Sequence, residues 1–229
     1  MTHRAWAVMF GIALLLAPVS AAAQQSFDVN LGGFIPWSED GRTKGDVLVV
    51  NRSYLLFDFN DFAGFYGEGA WSAELGKYFE ASVGFGFYQR TVSTIYDDYT
   101  HRDGREIEQE LKLRNMPLTA VVRAFPLGHR RIVQPYAGGG VGVNFWRYSE
   151  TGEFIDFSDN AIFRAAYVDS GTAVGPVGLL GVRARMASAA DIGMELRYQW
   201  AEADLSTDFL SDKIDLGGWS VLGTLKFRF

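Results

Sequence analysis

The strongest constraint on the fold of this chain is a strict two-residue alternation of side-chain character. From Phe79 to Phe87 every odd position is apolar, whereas every even position is polar or small. Because successive side chains of a β-strand point to opposite faces, this pattern predicts a strand with one apolar face. A similar alternation occurs over 65–75, 192–200 and 219–229. A chain built from such segments is expected to be all-β.

Four further segments bring the number of predicted strands to eight, at 26–36, 113–124, 133–146 and 174–186. The connections between strands alternate between a few residues and long polar stretches, as do the periplasmic turns and extracellular loops of outer-membrane barrels. The long connections are predicted as loops at 37–64, 91–110, 147–172 and 202–215. The apolar segments 54–57, 154–157 and 162–163 within them fit a cap on the barrel mouth, strands that extend above the membrane, or contacts with a hydrophobic ligand. Within the first of them, Val47 to Phe59 fits a loop, a short helix or an extra hairpin, and the hairpin would raise the strand number to ten.

Aromatic residues collect at the two ends of the predicted strands. Trp219 and Phe229 are separated by a length of strand that spans ~25 Å at ~3.3 Å per residue and a ~40° tilt, the height of the apolar band on transmembrane barrels. A soluble β-sandwich or lipocalin-like barrel also alternates, but its apolar face is the inside. We assign Phe79, Phe227 and Phe229 to a periplasmic aromatic girdle, and Phe65, Phe87, Phe145, Trp200 and Trp219 to an outer one.

These features predict an eight-stranded antiparallel transmembrane up-and-down β-barrel. An open sheet edge in hydrocarbon would leave a row of backbone N–H and C=O groups without partners. The first predicted strand must therefore pair with the last. The last strand, which ends at Phe229, is expected to be indispensable for closure.

The first residues have the layout of a cleavable secretory signal peptide. Arg4 precedes an apolar stretch from Ala5 to Ala17, and the small residues 20–23 follow Pro18. The apolar stretch is shorter than the ~20 residues that a membrane-spanning helix needs. We predict a signal peptide over 1–23 and one barrel domain over 24–229, located in the bacterial outer membrane.

Composition argues against several function classes. The formal net charge of −6 is unfavourable for binding nucleic acid, which depends on clustered Lys and Arg. The chain contains no cysteine, so neither a disulfide nor a lipid-attachment cysteine is expected. No Gly-rich phosphate loop and no metal-ligand spacing is present either. The sequence predicts no cofactor and no metal.

The inward face of the predicted barrel carries many charges, and an eight-stranded barrel is just wide enough for side chains to fill it. Buried charges must be paired, because an isolated one is very costly. We predict a lumen charge network of Glu68, Glu80, Arg123, Arg183, Glu195 and Arg197, and assign Glu74, Arg114 and Arg185 to the inward face as well.

Two neighbour relations are expected within this network. If the sixth turn centres on Ala189, Arg183 lies opposite Glu195, and Glu80 lies at a similar height to Arg123. The network fits either a salt-bridged plug or a gated narrow pore whose pairs exchange partners. Inward glycines either leave room for a bore or accommodate large side chains from facing strands; they are Gly84, Gly86, Gly138, Gly140 and Gly142.

Function remains open between two classes. Lipid-modifying and proteolytic barrel enzymes that act by acyl transfer generally need a histidine base near the outer rim, whereas a protease that uses carboxylates alone stays open as an alternative. Only His101 lies on the predicted outer side, since His3 belongs to the signal peptide and His129 to a periplasmic turn. The sequence therefore favours a non-enzymatic barrel, acting as a structural or surface-interaction protein or as a narrow passive pore. The acidic loops fit solvation or a divalent-cation role.

Two segments resemble a known family. The stretch 134–146, QPYAGGGVGVNFW, and the stretch 217–229, GGWSVLGTLKFRF, are similar to the OmpA-like and OmpW-like outer-membrane β-barrel domain family. The resemblance implies that Trp219, Phe227 and Phe229 form a signal read by the barrel assembly machinery. OmpA proteins continue into a periplasmic peptidoglycan-binding domain; nothing follows Phe229 here, so cell-wall anchoring is not implied. The expected partners are outer-membrane lipid and that machinery, with the oligomeric state left open.

Overall fold

The computed structural model describes residues 24–229 and consists mainly of a closed antiparallel β-barrel. The predicted signal peptide, 1–23, lies outside the described residues. The strands are β1 (Gln25–Pro36), β2 (Gly64–Leu75), β3 (Phe79–Thr100), β4 (Glu106–Ala124), β5 (Val133–Asp156), β6 (Ala161–Arg185), β7 (Ala190–Gln199), β8 (Glu202–Asp204), β9 (Lys213–Asp215) and β10 (Gly218–Arg228). The short strands β8 and β9 pair with each other, and the remaining eight close the barrel. The predicted eight-stranded all-β fold is confirmed.

Closure occurs between the first and last barrel strands. Strand β1 pairs antiparallel with β10, from Ser26 opposite Arg228 to Pro36 opposite Gly218. Every other pair of adjacent barrel strands consists of strands that follow each other along the chain, if β8 and β9 are left out. Within the membrane-spanning part, the backbone groups of every barrel strand therefore have ladder partners on both sides, which is what a hydrocarbon environment requires.

In the part of the barrel below the outer girdle, the outward side chains are apolar and the inward ones are polar. On β2 and on the lower part of β3, nine outward aromatic and aliphatic residues alternate with inward residues that are mostly buried and polar or small. The girdle residues Phe65, Phe79 and Phe229 are 65, 50 and 72% exposed. Such a surface is the inverse of a soluble barrel, and it is matched to lipid.

The prediction of 91–110 as a loop is wrong, because this stretch is mostly strand, and of the alternatives for 147–172 the structure has strands that extend above the membrane. The hairpins β3–β4 and β5–β6 continue through them. Strand β6 has 25 residues, which at ~3.3 Å per residue and a ~40° tilt reaches ~60 Å, well beyond the ~25 Å apolar band. We name the part above the outer girdle the extracellular extension; it comprises residues 37–63, 89–115, 146–173 and 201–217.

The alternation changes sign where these strands leave the apolar band. Within the band the inward residues of β3 are polar or small, whereas in the extension Val92 and Tyr96 point inward and are buried. Outward positions such as Gln89, Thr91 and Ser93 are polar there. In water the favourable arrangement is apolar inside and polar outside, so the extension has a core of its own.

Residues 47–59 contain a short helix, α1 (Val47–Arg52), so the barrel has eight strands and not ten. Asp46 caps this helix, since its Oδ1 accepts hydrogen bonds from the backbone N–H of Leu48 at 2.9 Å and of Val49 at 3.3 Å. Val47 and Leu48 are fully buried in the core of the extension. Across residues 24–229, no helix combines the length and apolar character needed to cross a bilayer.

Phe229 fastens the lower end of the closing seam. Its backbone N–H donates to the carbonyl oxygen of Gln25 at 3.1 Å, and its ring lies edge-on to Trp71 with centroids 6.4 Å apart. We expect removal of Phe229 to reduce the folded, outer-membrane-inserted fraction severalfold, because the end of the chain loses a backbone hydrogen bond to β1 and a ring contact with β2. The measurement is the heat-modifiable folded fraction in isolated outer membranes.

The matched control is Phe157→Ala, which removes an exposed aromatic side chain from the β5–β6 turn without touching the seam. It should insert like the unaltered protein. Normal insertion of the chain lacking Phe229 would contradict this role of the terminal residue.

Candidate functional site

The lumen of the membrane-spanning part is crossed by a connected group of charged side chains. The six residues predicted for this network all point inward and are at most 4% exposed; they are Glu68 on β2, Glu80 on β3, Arg123 on β4, Arg183 on β6, and Glu195 and Arg197 on β7. Five strands thus contribute to one cluster. The closed barrel brings together residues that are far apart in sequence.

Arg197 occupies the upper part of this network. Its Nη2 lies 2.8 Å from Glu68 Oε1 and 2.8 Å from Glu195 Oε1, and its Nη1 also contacts Glu68. Glu68 accepts three more hydrogen bonds, from Asn30 Nδ2 and the Tyr66 hydroxyl at 3.0 Å each and from the Thr119 hydroxyl at 3.5 Å. The carboxylate and the guanidinium are therefore both held by several partners.

Glu80 occupies the lower part and is surrounded by cations. Arg123 Nη1 lies 3.4 Å from Glu80 Oε1, and Arg183 Nη1 lies 3.2 Å from Glu80 Oε2. Lys226 also contacts Glu80. Arg123 links the two parts, because its Nη2 lies 3.1 Å from Glu195 Oε2. The network is continuous from Arg197 to Lys226.

Two members were missed by sequence reasoning. Lys226 on β10 and Asp28 on β1 are both buried, with Lys226 Nζ 3.9 Å from Asp28 Oδ1. The alternation of the last strand does assign Lys226 to the inward face, so this residue could have been included in the predicted network. The alternation of β1 is too weak to assign Asp28 to either face. With these two, four carboxylates face four cations, so the network carries no net charge.

Two sequence-based assignments are wrong. Arg183 pairs with Gly193 and not with Glu195, because the sixth turn centres on Ser188 and shifts the partner by two residues. Arg114 faces outward, since the buried positions of β4 are the odd ones. The predicted proximity of Glu80 and Arg123 corresponds to a direct cross-strand pair. Arg185 and Glu74 lie at the periplasmic mouth.

Glycines in the lumen make room for large side chains. A Cβ atom on Gly86 would lie 2.3 Å from the hydroxyl oxygen of Tyr66, and one on Gly84 would lie 2.9 Å from Cδ of Glu68. Both distances are far below van der Waals contact. The space that these glycines leave is therefore occupied by Tyr66 and Glu68, and it is not available as a bore.

Above the charge network the interior becomes apolar. Buried rings and aliphatic side chains from the wall, from α1 and from the 3₁₀ turn Phe59–Phe62 form one cluster that fills the extension. It includes Phe34, Leu48, Phe62, Tyr88, Leu111, Trp146, Phe209 and Ile214. The barrel thus contains a polar layer below and an apolar layer above.

The long connections are tied to one another and are not free loops. Buried Arg42 donates to Asp46 Oδ1 at 2.9 Å and to the carbonyl oxygen of Asp215 at 2.8 Å. The Asp215 N–H in turn donates to Asp46 at 2.5 Å. This node joins the first connection to the fourth, and it shows that acidic residues such as Asp215 serve packing as well as solvation.

A pocket of ≈160 Å³ opens in the extension between α1 and the β5–β6 hairpin. Glu150 lines it; its Oε1 accepts hydrogen bonds from Asn51 Nδ2 at 2.6 Å and from the Tyr148 hydroxyl at 2.9 Å. Burial raises the pKa of Glu150 above its usual value. The rest of the lining includes six aromatic residues, Tyr54, Tyr96, Phe154, Phe157, Phe163 and Tyr167.

His101, the catalytic candidate from the sequence, lies near the tip of the β3–β4 hairpin. Its Nε2 is 2.8 Å from Glu153 Oε2, and this contact lowers the pKa of Glu153. Within residues 24–229 no group of three or more His, Asp or Glu side chains is arranged to hold a metal ion.

Replacing Glu80 tests the energetic role of the network. Glu80→Gln removes the carboxylate that three buried cations share. Removing one partner of a buried ion pair in this way should lower the free energy of unfolding by about 3–5 kcal/mol. The control is Glu39→Gln, which breaks the salt bridge between Glu39 and Arg52. Both side chains of that salt bridge are roughly half exposed, so it contributes only ~0–1 kcal/mol to the free energy of unfolding. Urea unfolding in phospholipid vesicles measures both, and equal effects would contradict the network's role.

The opposite pKa shifts of Glu150 and Glu153 predict opposite pH responses. Folding raises the pKa of Glu150, so the buried carboxyl favours its protonated form. The stability of the extension should therefore fall as the pH rises through the folded-state pKa of Glu150, and it should be higher at low pH, where the carboxyl is protonated. Glu150→Gln should abolish this response. His101 lowers the pKa of Glu153. Ionised Glu153 should therefore stabilise the folded extension at pH values above the pKa it has in the unfolded chain, and this stabilisation should be lost on acidification.

Amide hydrogen exchange of α1 and of the β5–β6 hairpin, corrected for intrinsic rates between pH 4 and 8, measures both responses. Protection of α1 that falls with rising pH in the unaltered protein but not in Glu150→Gln is the expected result. An unchanged pH profile in Glu150→Gln would exclude this carboxyl as the source.

Comparison with known proteins identifies the family. Residues 10–226 match the model of the outer membrane protein beta-barrel domain. Among solved structures, OprG from Pseudomonas aeruginosa is 12% identical with a TM-score of 0.55, and the alignment covers 91% of this chain and 96% of OprG. At that identity the likeness shows the fold alone.

Two further structures are more distant in shape. A major outer membrane protein from Thermus thermophilus is 15% identical, with coverage of 91 and 100% and a TM-score of 0.48. Ail, the attachment invasion locus protein of Yersinia pestis, is 10% identical, with coverage of 90 and 99% and a TM-score of 0.43. No curated protein matches the sequence significantly. The chain belongs to the outer membrane protein β-barrel domain family, whose members are integral to the bacterial outer membrane.

Proposed function

We propose that this protein is a non-conducting outer-membrane barrel that acts at the cell surface through its extracellular extension, as a structural and surface-interaction protein without enzymatic activity. The observation that carries the proposal is the filled lumen. A neutral network of eight buried charges closes the membrane-spanning part, and an apolar core closes the extension above it.

The plug is favoured over a gated pore by the number of partners that each charge has. Glu80 contacts three cations, and Arg197 bridges two carboxylates. An ion could pass only if several of these contacts opened together, and each opening exposes a buried charge without a partner, which costs several kcal/mol. The apolar core forms a second barrier in series, because its side chains are mostly apolar and the buried polar groups beside it are already paired with one another.

The extension supplies the surface for interaction. An aromatic group rims the pocket beside Glu150, with the ring centroids of Tyr54 and Phe157 5.4 Å apart and those of Tyr99 and Phe157 5.9 Å apart. Tyr54, Tyr99, Phe157 and Phe163 are each more than a third exposed. Apolar groups exposed in this way on a rigid scaffold are typical of binding surfaces. Catalysis receives less support, because His101, the histidine on the outer side, lies outside the pocket lining.

Planar-bilayer recording tests the proposal. The purified, folded protein should give no single-channel events at potentials where a general porin conducts in the same bilayer. The charge-neutral double variant Glu195→Ala with Arg197→Ala should also stay silent, because the apolar core still closes the barrel. Insertion is verified by protease protection of the membrane-spanning part. Discrete conductance by the unaltered protein, changed in size or selectivity by the double variant, would overturn the proposal in favour of a pore.

A further inference from the structure

A compact group of basic side chains lies on the outer wall of the barrel, immediately above the apolar band. Arg114 on β4 and Arg147 on β5 are direct cross-strand partners, and Lys112, two residues along from Arg114, pairs with Ser149. Together with Gln89 they line a cleft of ≈230 Å³. We name it the basic cleft, and it comprises Gln89, Lys112, Arg114, Arg147 and Ser149.

The charges of the basic cleft are not balanced by the protein. Within residues 24–229, no carboxylate forms a salt bridge with Lys112, Arg114 or Arg147. Like charges directly opposite each other on neighbouring strands are destabilising. In addition, Arg114 Nε is buried and has no hydrogen-bond partner in the described part of the chain. One anion seated between the two guanidinium groups would relieve both costs.

The position of the basic cleft defines the kind of anion. The outward residues two positions below Arg147 and Gln89 are Phe145 and Phe87, which belong to the outer aromatic girdle and are 40 and 45% exposed. Below them the outward face remains apolar down to the periplasmic turns. The cleft therefore lies at the depth of lipid headgroups, with a surface suited to acyl chains directly beneath it.

The long hairpins place this end of the barrel at the outer leaflet, since extracellular connections are the long ones in such proteins. The fixed fork of an arginine guanidinium matches the geometry of a phosphate group, which two arginines and a lysine can contact together. A headgroup that combines phosphate with several acyl chains would engage the cleft and the apolar face at once.

We propose that the basic cleft binds the phosphate group of a phosphorylated glycolipid of the outer leaflet, of the lipid A class, whose acyl chains lie along the apolar face below Phe87 and Phe145. The site is on the outer wall and is separate from the lumen and from the pocket beside Glu150. It would hold one lipid at a fixed place against β3, β4 and β5.

The test compares the unaltered protein with the double variant Arg114→Gln and Arg147→Gln in nanodiscs of zwitterionic lipid. Binding of purified lipid A is measured by native mass spectrometry, and thermal unfolding is recorded with and without it. The double variant should bind lipid A at least roughly tenfold more weakly, the equivalent of losing about 1.4 kcal/mol. The matched control removes two exposed cations elsewhere in the extension, Arg105→Gln and Arg164→Gln, and should bind normally.

Two further arms separate the proposal from a folding defect and from a general anion site. Without lipid A, the double variant should unfold at the same temperature as the unaltered protein or slightly higher, because the like-charge pair is gone. Dephosphorylated lipid A should bind the unaltered protein and the double variant equally weakly. Equal lipid A binding by the double variant and the unaltered protein would overturn the proposal, as would inorganic phosphate alone reproducing the full thermal stabilisation.

Discussion

The pairing of β1 with β10 is the constraint on which the rest of the structure depends. A sheet in hydrocarbon must satisfy every backbone N–H and C=O group within itself, so it has to close. Closure of eight strands fixes the radius of the interior, and that radius admits side chains but little else. The charges that face inward are thereby forced into contact with one another. Their neutrality and mutual pairing, centred on Glu80 and Arg197, follow from the lack of any other partner in so narrow a space.

The four strands β3 to β6 cross from lipid into water along their length. Below the outer girdle their outward side chains meet lipid and their inward ones meet charge; above it the outward side chains meet water and the inward ones form an apolar core. The reversal occurs within one strand step, between Phe145 and Arg147 on β5. The basic cleft lies at this boundary between lipid and water. Within the part of the chain that the structure describes, its cations form no salt bridge with a carboxylate.

The strand pattern, the closure and the six predicted network residues could all be read from the sequence, because alternation assigns each side chain to a face. Pairing partners could not be read as reliably. Arg183 was expected opposite Glu195, and a one-residue difference in the centre of a turn was enough to shift its partner to Gly193. The strand character of 89–115 and 146–173 is harder to predict than that of the membrane-spanning segments, because strands in water carry the reverse of the apolar-outward pattern.

By itself, the sequence determined that the chain forms a lipid-facing barrel, since the period of two and the aromatic girdles are local properties of each strand. The tertiary structure decided what the barrel encloses and presents. Whether inward glycines such as Gly86 leave a bore depends on which side chain faces them, here Tyr66. Whether Arg114 joins the lumen or the basic cleft depends on the register of β4. Register is fixed by turns and by packing around the whole ring, so it is settled only when all eight strands are in place.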